Sequence, residues 1–343
     1  MAVTVPALNV VSLRRPYLLF LGEETNALKA KTAFGLRDWA PESCTGQMHM
    51  PGGTVDLGLP EMSPEAAAFA GARSLLIGVT PTGGRIPAHW APMLMAAAEA
   101  GLDIVSGLHT PLATVSGLAL AAASAGGRLV DVRRPPADLP RATGKRRSGK
   151  RAAMVGTDCA LGKKYTALAL ADAMRKRGVD ADFRATGQTG IMIAGAGIAI
   201  DAVVADFIAG AAECISPAAE PEHWDLIEGQ GSIYHPAYAG VTLGLLHGSQ
   251  PDALILCHDP LRTQVLSWPE YPLPDLASAA RLYVDLARRT NPAARLAGVS
   301  LNTAALDAAA AEQALAQAAR ELGVPAFDPM RTAADHVIAS ILG

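Results

Sequence analysis

Short apolar runs alternate along the chain with longer stretches whose apolar positions recur at helical spacing. In the first half the runs fall at 17–21, 74–79, 102–105 and 128–132, with helix-like stretches at 26–34, 90–100 and 112–125. Buried-strand candidates separated by amphipathic helices predict a parallel sheet with crossover helices. The rhythm is Rossmann-like, but no GxGxxG follows the first strand, so the pattern gives no support for a dinucleotide site. The second half repeats the alternation. Strands are expected at 151–155, 182–185, 224–227, 253–257, 297–301 and 326–327, and helices from about 163 to 177 and at 203–214, 276–287, 306–322 and 333–342. That pattern predicts a second doubly wound α/β domain. Residues 268–274 (WPEYPLP) read as a loop or lid, and no repeat of fixed period is visible.

Between the halves both periodicities break. Residues 133–150 (RRPPADLPRATGKRRSGK) are rich in proline and basic side chains. The expected organisation is a Rossmann-like domain at 1–140, a basic linker at 141–150 and a second α/β domain at 151–343. The basic run reads most simply as a solvated linker. Nucleic-acid binding, or charges facing a phosphate ligand next door, are the alternatives.

Composition narrows the classes. Of the 343 residues, 50% are hydrophobic and 18% charged, which supplies large cores and excludes disorder. A net charge of -3 gives no reason to expect nucleic-acid binding. The cysteines Cys44, Cys159, Cys214 and Cys257 form no CxxC pair, so neither a zinc site nor a disulfide framework is indicated. The N-terminus carries its arginines after the first apolar stretch, the reverse of a secretory leader. Asp201 and Asp206 interrupt the most apolar segment, 194–212, so it reads as buried structure rather than a membrane span. A cytoplasmic protein is expected.

The chemistry concentrates after the 151–155 run, in VGTDCALGKKYTALAL. A strand entering a glycine-containing loop and then an Ala/Leu-rich helix aims backbone N–H groups and a helix N-terminus at one point, which attracts phosphate. Gly156 and Gly162 allow close approach. Thr157, Cys159, Ala160, Leu161, Lys163, Lys164 and Tyr165 complete the expected cofactor-binding loop, and Lys163 can place an ammonium on the phosphates. Five residues separate the two glycines, one more than in GxxxxGK[ST]. That spacing, opened by Gly-Thr-Asp, resembles dethiobiotin synthetase and its relatives. Glu228-Gly229-Gln230-Gly231 resembles their Glu-Gly-Ala-Gly-Gly turn, and Asn302 is the counterpart of their base-binding Asn. The resemblance implies a P-loop NTPase-like fold for the second domain. In that family a Ser or Thr follows the loop lysine and ligates Mg²⁺; here Lys164 stands there, and a protonated lysine has only donors. The departure favours a phosphate cofactor held without metal, such as coenzyme A, although Thr157 or Thr166 with Asp158 and Glu228 could still serve a metal.

Five segments (RPYLLFLGEETNALKAKTAFGLRDW, GTDCALGKKYTALAL, DFRATGQTGI, IEGQGSIYHPAYAGVTLGLLHGSQPDA and VSLNT) resemble, over nearly the whole chain, a bacterial family long called a domain of unknown function, which includes D-glutamate N-acetyltransferases. The resemblance implies acetyl transfer from acetyl-CoA to the amine of D-glutamate or a similar amino acid. Such a reaction needs a general base, donors for the developing oxyanion and partners for two carboxylates. Glu228, at a strand end facing the loop crevice, is the first candidate base, followed by Asp158 and His235, with His247 nearby. Arg184, Gln188 and Thr189 lie in RATGQTG after another strand end and are candidates for the substrate carboxylates or the cofactor phosphate. Cys159 could carry the acetyl group covalently or simply be a small loop residue. In the first half Glu23, Glu24, Thr25, Asn26, Lys31, Ser106, His109 and residues 81–85 sit at strand ends, where capping explains Thr25 and Asn26 as well as binding does. An ATP- and Mg²⁺-dependent ligase or kinase and a nucleotide sensor are the competing functions. The expected partners are the small-molecule substrate and further copies of the chain in a homo-oligomer, with no metal, nucleic acid or membrane.

Overall fold

The computed structural model describes residues 10–343. Residues 1–9, part of the stretch weighed above as a leader, lie outside the described residues. The first elements are β1 (Val11–Ser12), β2 (Tyr17–Gly22), α1 (Lys31–Trp39), β3 (Cys44–His49), α2 (Pro64–Phe69), β4 (Ser74–Ile77), α3 (Ala91–Glu99), β5 (Asp103–Ser106), α4 (Leu118–Ser124) and β6 (Leu129–Asp131). Then come β7 (Lys150–Gly156), α5 (Lys163–Lys176), β8 (Ala181–Arg184), α6 (Gln188–Ala194), β9 (Ala196–Gly197), α7 (Ile208–Ile215), β10 (Trp224–Ile227) and α8 (Ala239–Ser249). The chain finishes with β11 (Ala253–His258), β12 (Gln264–Val265), β13 (Trp268–Pro272), α9 (Leu276–Ala287), β14 (Arg295–Leu301), α10 (Ala308–Leu322), β15 (Ala326–Phe327) and α11 (Asp335–Leu342).

The chain divides into two compact units, one of 10–136 with Gln188–Ala202, the other of Ala137–Gly187 with Val203–Gly343. In the first, five parallel strands run in the order β3-β2-β4-β5-β6, and β9 pairs antiparallel with β1. Tyr17, Leu18, Leu19, Phe20 and Leu21 are all buried, as a strand covered on both faces requires. Residues 188–202, inside the range expected for the second domain, pack with this unit. Thr189 shares a 2.9 Å hydrogen bond with Thr32, and Arg15 and Tyr17 donate to the Ile193 and Met192 carbonyls.

The second unit holds six parallel strands in the order β15-β14-β11-β7-β10-β8, with the antiparallel hairpin β12-β13 outside the sheet. The strand order reverses at β7, which puts the binding crevice at that strand's C-terminal end. Ala152 and Met154 of β7 pack with Leu170, Ala171 and Met174 of α5 and Val337, Ile338 and Ile341 of α11 in the core.

Residues 140–146 of the basic run are exposed, but its C-terminal part is held against the second unit. Arg151 is fully buried and donates to Ser216 Oγ at 2.7 Å and to the Ser148 and Pro217 carbonyls. Arg147 donates to the Ser216 and Gly248 carbonyls, both at 2.8 Å, and Arg146 reaches the Gln250 carbonyl and Asp252. These guanidiniums satisfy loop carbonyls of the second unit, and that use leaves 146–151 anchored rather than free. Among the described residues no helix is long and apolar enough to cross a membrane.

Candidate active site

At the end of β7 the chain turns through 157–162 and enters α5. Gly162, at φ 99°, is the N-cap, and no side chain caps the helix there. The N-terminus of α5 thus opens on the loop with no side-chain cap from Gly162, the arrangement that binds phosphate. Lys163 is buried and its Nζ donates to the Asp158 carbonyl at 2.7 Å. Burial, chiefly, pulls its pKa below the ordinary lysine value. The Lys164 ammonium lies 4.4 Å from the Tyr165 ring centroid. Thr166, the nearest hydroxyl on the helix, is committed to the Gly162 carbonyl at 3.1 Å and Ser300 at 2.7 Å.

Two carboxylates flank the loop and differ in what remains open on them. Asp158 is fully buried and engaged on both oxygens: Oδ1 accepts from Cys159 N at 2.6 Å, and Oδ2 accepts from Arg262 Nη1 at 2.9 Å and Leu266 N at 2.8 Å. Arg262 also donates to the Cys159 carbonyl at 2.7 Å. Asp158 thus staples the β12-β13 hairpin to the loop. Glu228 follows β10. Its Oε2 accepts from the backbone N–H groups of Thr186 and Gly187, both at 2.9 Å, while Oε1 takes no hydrogen bond among the described residues. Burial raises its pKa above the carboxylate range, opposed by those two N–H groups and by Lys164 and Lys163. Gly229 makes this approach possible: a Cβ there would strike the Met154 carbonyl and come within 2.9 Å of Lys163 Cδ.

His235 reaches the loop as well. One of its ring nitrogens, the Cys159 sulfur and an Asp158 carboxylate oxygen lie within 4.8 Å of one another. The ring stacks on Tyr238 and meets Trp268 edge-on, and its Nδ1 accepts from Ala237 N at 3.1 Å. A neutral ring that accepts at Nδ1 carries its proton on Nε2, so His235 is set up as a donor rather than a base. The same cluster could be read as metal ligands, but Oδ2 of Asp158 is taken by two donors and Arg262 puts a positive charge beside it. Burial raises the Cys159 pKa, which keeps the thiol protonated.

The remaining candidates are placed differently. Arg184 is bound to Asp225 at 2.5 Å and Asp182 at 3.1 Å, toward the strand starts of the sheet. Gln188 and Thr189 lie in the first unit, where the Gln188 Oε1 is buried with no hydrogen-bond partner among the described residues. His247 is on α8, its Nε2 likewise buried with none among the described residues. Asn302 accepts from Ala304 N at 3.3 Å, and its N–H donates to the His258 carbonyl. In the first unit Glu23 binds His89 and Trp90, Glu24 caps Thr25 and Asn26, and Ser106 accepts from Leu108 N.

Three loop partners escaped the sequence reading. Tyr283 donates to the Gly156 carbonyl at 2.8 Å, His258 shares a 2.9 Å hydrogen bond with Thr157, and Arg262 holds Asp158. The signal for one of them, His258, was present. The run ALILCHDP ends in polar residues, and a strand paired beside β7 delivers such an end to the loop.

Comparisons with known proteins agree with this architecture. Residues 140–338 match the family model described as "Domain of unknown function (DUF1611_C) P-loop domain", and residues 43–135 match "Domain of unknown function (DUF1611_N) Rossmann-like domain". A protein of Tritonibacter scottomollicae named D-glutamate N-acetyltransferase is 46% identical over 96% of this chain and 99% of its own. A protein of the same name from Pseudoalteromonas sp. is 43% identical over 96% of this chain and 100% of its own. The crystal structure of a DUF1611 family protein from Anabaena variabilis superposes with a TM-score of 0.83 at 35% identity, covering 96% of this chain and 99% of that one.

Proposed function

The chain belongs to the DUF1611 family, and on that premise we infer that it is a D-glutamate N-acetyltransferase that moves the acetyl group of acetyl-CoA to the amine of D-glutamate. The observation that carries the reading is the loop itself. It offers the N-terminus of α5 and the buried Lys163 side chain to a phosphate-rich donor, with Lys164 where a metal-ligating hydroxyl would stand. The residues fit the diphosphate of coenzyme A. Lys163 would exchange the Asp158 carbonyl for phosphate oxygens, and no metal is needed to balance the charge.

The chemistry then asks for a neutral amine. The ammonium of D-glutamate gives a proton to a base, the nitrogen attacks the thioester carbonyl, the C–S bond breaks and the thiolate leaves, taking a proton. We assign the base to Glu228. Burial raises its pKa above the ordinary carboxylate value, which makes it a stronger base, and its Oε1 is open among the described residues. Asp158, held by three donors with Arg262 among them, serves as the staple of the hairpin. His235 supplies an N–H donor beside the loop.

Length constrains this assignment. The arm between the diphosphate and the thioester is about as long as four or five residues of backbone, on the order of 15 Å when extended at ~3.5 Å each. Glu228 lies beside the Lys163 side chain. It can take the proton only when that arm folds back over the loop. We therefore place the amino-acid substrate above the Glu228–Gly231 turn. The same reading makes the protein cytoplasmic and a homo-oligomer, the common state of soluble enzymes.

Incubating the protein with acetyl-CoA and D-glutamate tests the reading, with free thiol measured against N-acetyl-D-glutamate by mass spectrometry. The expected result is one thiol per product molecule, without added metal or nucleotide. Product that appears only with ATP and Mg²⁺, or no product at all, would overturn it.

A further inference from the structure

A second feature of the same unit opens directly off the phosphate loop. His258, the last residue of β11, holds Thr157 of the loop through Nδ1 and also lines a cavity of about 270 Å³. Burial lowers the His258 pKa, so the ring is neutral and brings no charge to the cavity. Pro260, Pro274, Leu276 and Leu301 form apolar walls. On the α10 side Ala314 and Ala318, one turn apart, leave a smooth face with no side chain beyond Cβ. The volume falls just under the roughly 300–1,000 Å³ of pockets that enclose whole drug-sized ligands. It suits one flat ring system rather than an entire cofactor.

The rim adds direction. Asp275 spends its carboxylate on capping α9, accepting from Ser278 N at 2.7 Å and Ser278 Oγ at 2.8 Å. Gln317 and Glu321, one turn apart on α10, are the other polar side chains at the edge. A carboxylate beside an amide oxygen accepts hydrogen bonds. It favours a heterocycle presenting an exocyclic amine and disfavours one presenting a carbonyl.

We propose that this cavity holds the adenine ring of the acetyl donor, with its amino edge toward Gln317 and Glu321 and the diphosphate leading back past His258 and Thr157 to the loop. The proposal rests on the acetyl-CoA reading above. It extends that reading by fixing one end of the donor, so that the arm leaves the loop on the side away from the cavity. It also gives a reason for His258: the ring joins the heterocycle slot to the loop and positions Thr157.

Ala314→Trp tests the proposal by filling the slot from a half-buried helix position. Gln317→Trp does the same from an exposed position, where folding is least at risk. Calorimetric titration compares CoA with 4′-phosphopantetheine, which lacks the 3′-phosphoadenosine and one phosphate of the diphosphate, and thermal melting checks that each variant is folded. The expected result is CoA affinity at least tenfold weaker in both variants, with phosphopantetheine affinity the same as in the unaltered protein. If the folded variants bind CoA as tightly as the unaltered protein, the cavity is not the adenine site and the acetyl-CoA reading stands. If the unaltered protein binds no CoA, that reading falls and the proposal falls with it. Equal losses for CoA and phosphopantetheine would assign the effect to the loop and also overturn the proposal.

Discussion

The second unit's sheet buries charge at both ends of its strands, and the two ends treat it in opposite ways. Near the strand starts, Asp225 is almost fully buried and accepts from Ser216 Oγ at 2.5 Å and Arg184 Nε at 2.5 Å, with His223 Nε2 at 3.0 Å. Arg151, wholly buried nearby, spends its donors on Ser216, Ser148 and Pro217. Every charge there has partners on several sides. At the loop end, among the described residues, Lys163 donates to a single backbone carbonyl and Glu228 keeps one oxygen open. Burial shifts both toward their neutral forms. Burying an uncompensated charge is costly, so such an arrangement persists where a ligand or a proton transfer will use it. One sheet thus separates a densely paired network from a sparsely paired one, and the proposed reading assigns chemistry to the second.

The comparison can be broken at either end. The largest effect expected is from Glu228→Gln, which keeps the shape but removes basicity. Turnover should fall about 10²–10⁴-fold, with acetyl-CoA affinity nearly intact. In the unaltered enzyme the acid limb of kcat/KM should lie above the ordinary carboxylate range, because the Glu228 pKa is raised. Normal turnover in the variant would remove Glu228 as the base, and a joint loss of binding would make it a loop-shaping residue. Asp225→Ala should instead cost about 3–5 kcal/mol of stability, the usual result of stripping one partner from a buried charge network. Denaturant melts would register it, while KM for acetyl-CoA in the folded fraction stays put. Lys163→Ala should weaken the cofactor Kd by about 1.5–3 kcal/mol with little change in melting temperature. An unchanged Kd would mean that phosphate does not bind this loop.

The smallest effect concerns His223. Its Nδ1 faces Asp180 at 2.9 Å and its Nε2 faces Asp225 at 3.0 Å, which holds its pKa above the ordinary histidine value despite burial. A raised folded-state pKa stabilises fully below the unfolded value, and that contribution is lost as pH rises through the folded one. Stability should therefore decline from near the ordinary value of 6.5 upward through the raised one. His223→Gln should flatten the stability curve over that window. A variant with the same slope as the unaltered protein would show that His223 does not carry it.

How much of this was written in the residues follows from what each element asks of its side chains. The six strands of the second sheet announced themselves as apolar runs, because a parallel strand is covered on both faces. The helix at Leu276–Ala287 was found to the residue. β3, CTGQMH, was missed because it is a half-polar edge strand. α8 was missed because Gly240, Gly244 and Gly248 lower its helix propensity. The packing with α7 explains two of these glycines. A Cβ on Gly244 would lie 2.6 Å from Ile208 Cγ2, and one on Gly248 would overlap the Ala209 carbonyl. In the site, the loop and Glu228 were legible because strand, glycine and polar residue are contiguous in sequence. The state of Asp158 was not, since its partners Arg262 and Leu266 arrive from a hairpin about a hundred residues away. Arg184 looked like a ligand for a carboxylate, and it does bind carboxylates, those of Asp225 and Asp182.

The central claim is that the loop end of this sheet is charged for a phosphate donor without a metal. Titration calorimetry of the unaltered protein with acetyl-CoA in buffer containing EDTA tests it most directly, alongside ATP with and without Mg²⁺. The account predicts saturable acetyl-CoA binding that Mg²⁺ does not strengthen, and weaker binding of ATP. Binding that appears only with Mg²⁺, or a strong preference for ATP over acetyl-CoA, would contradict it.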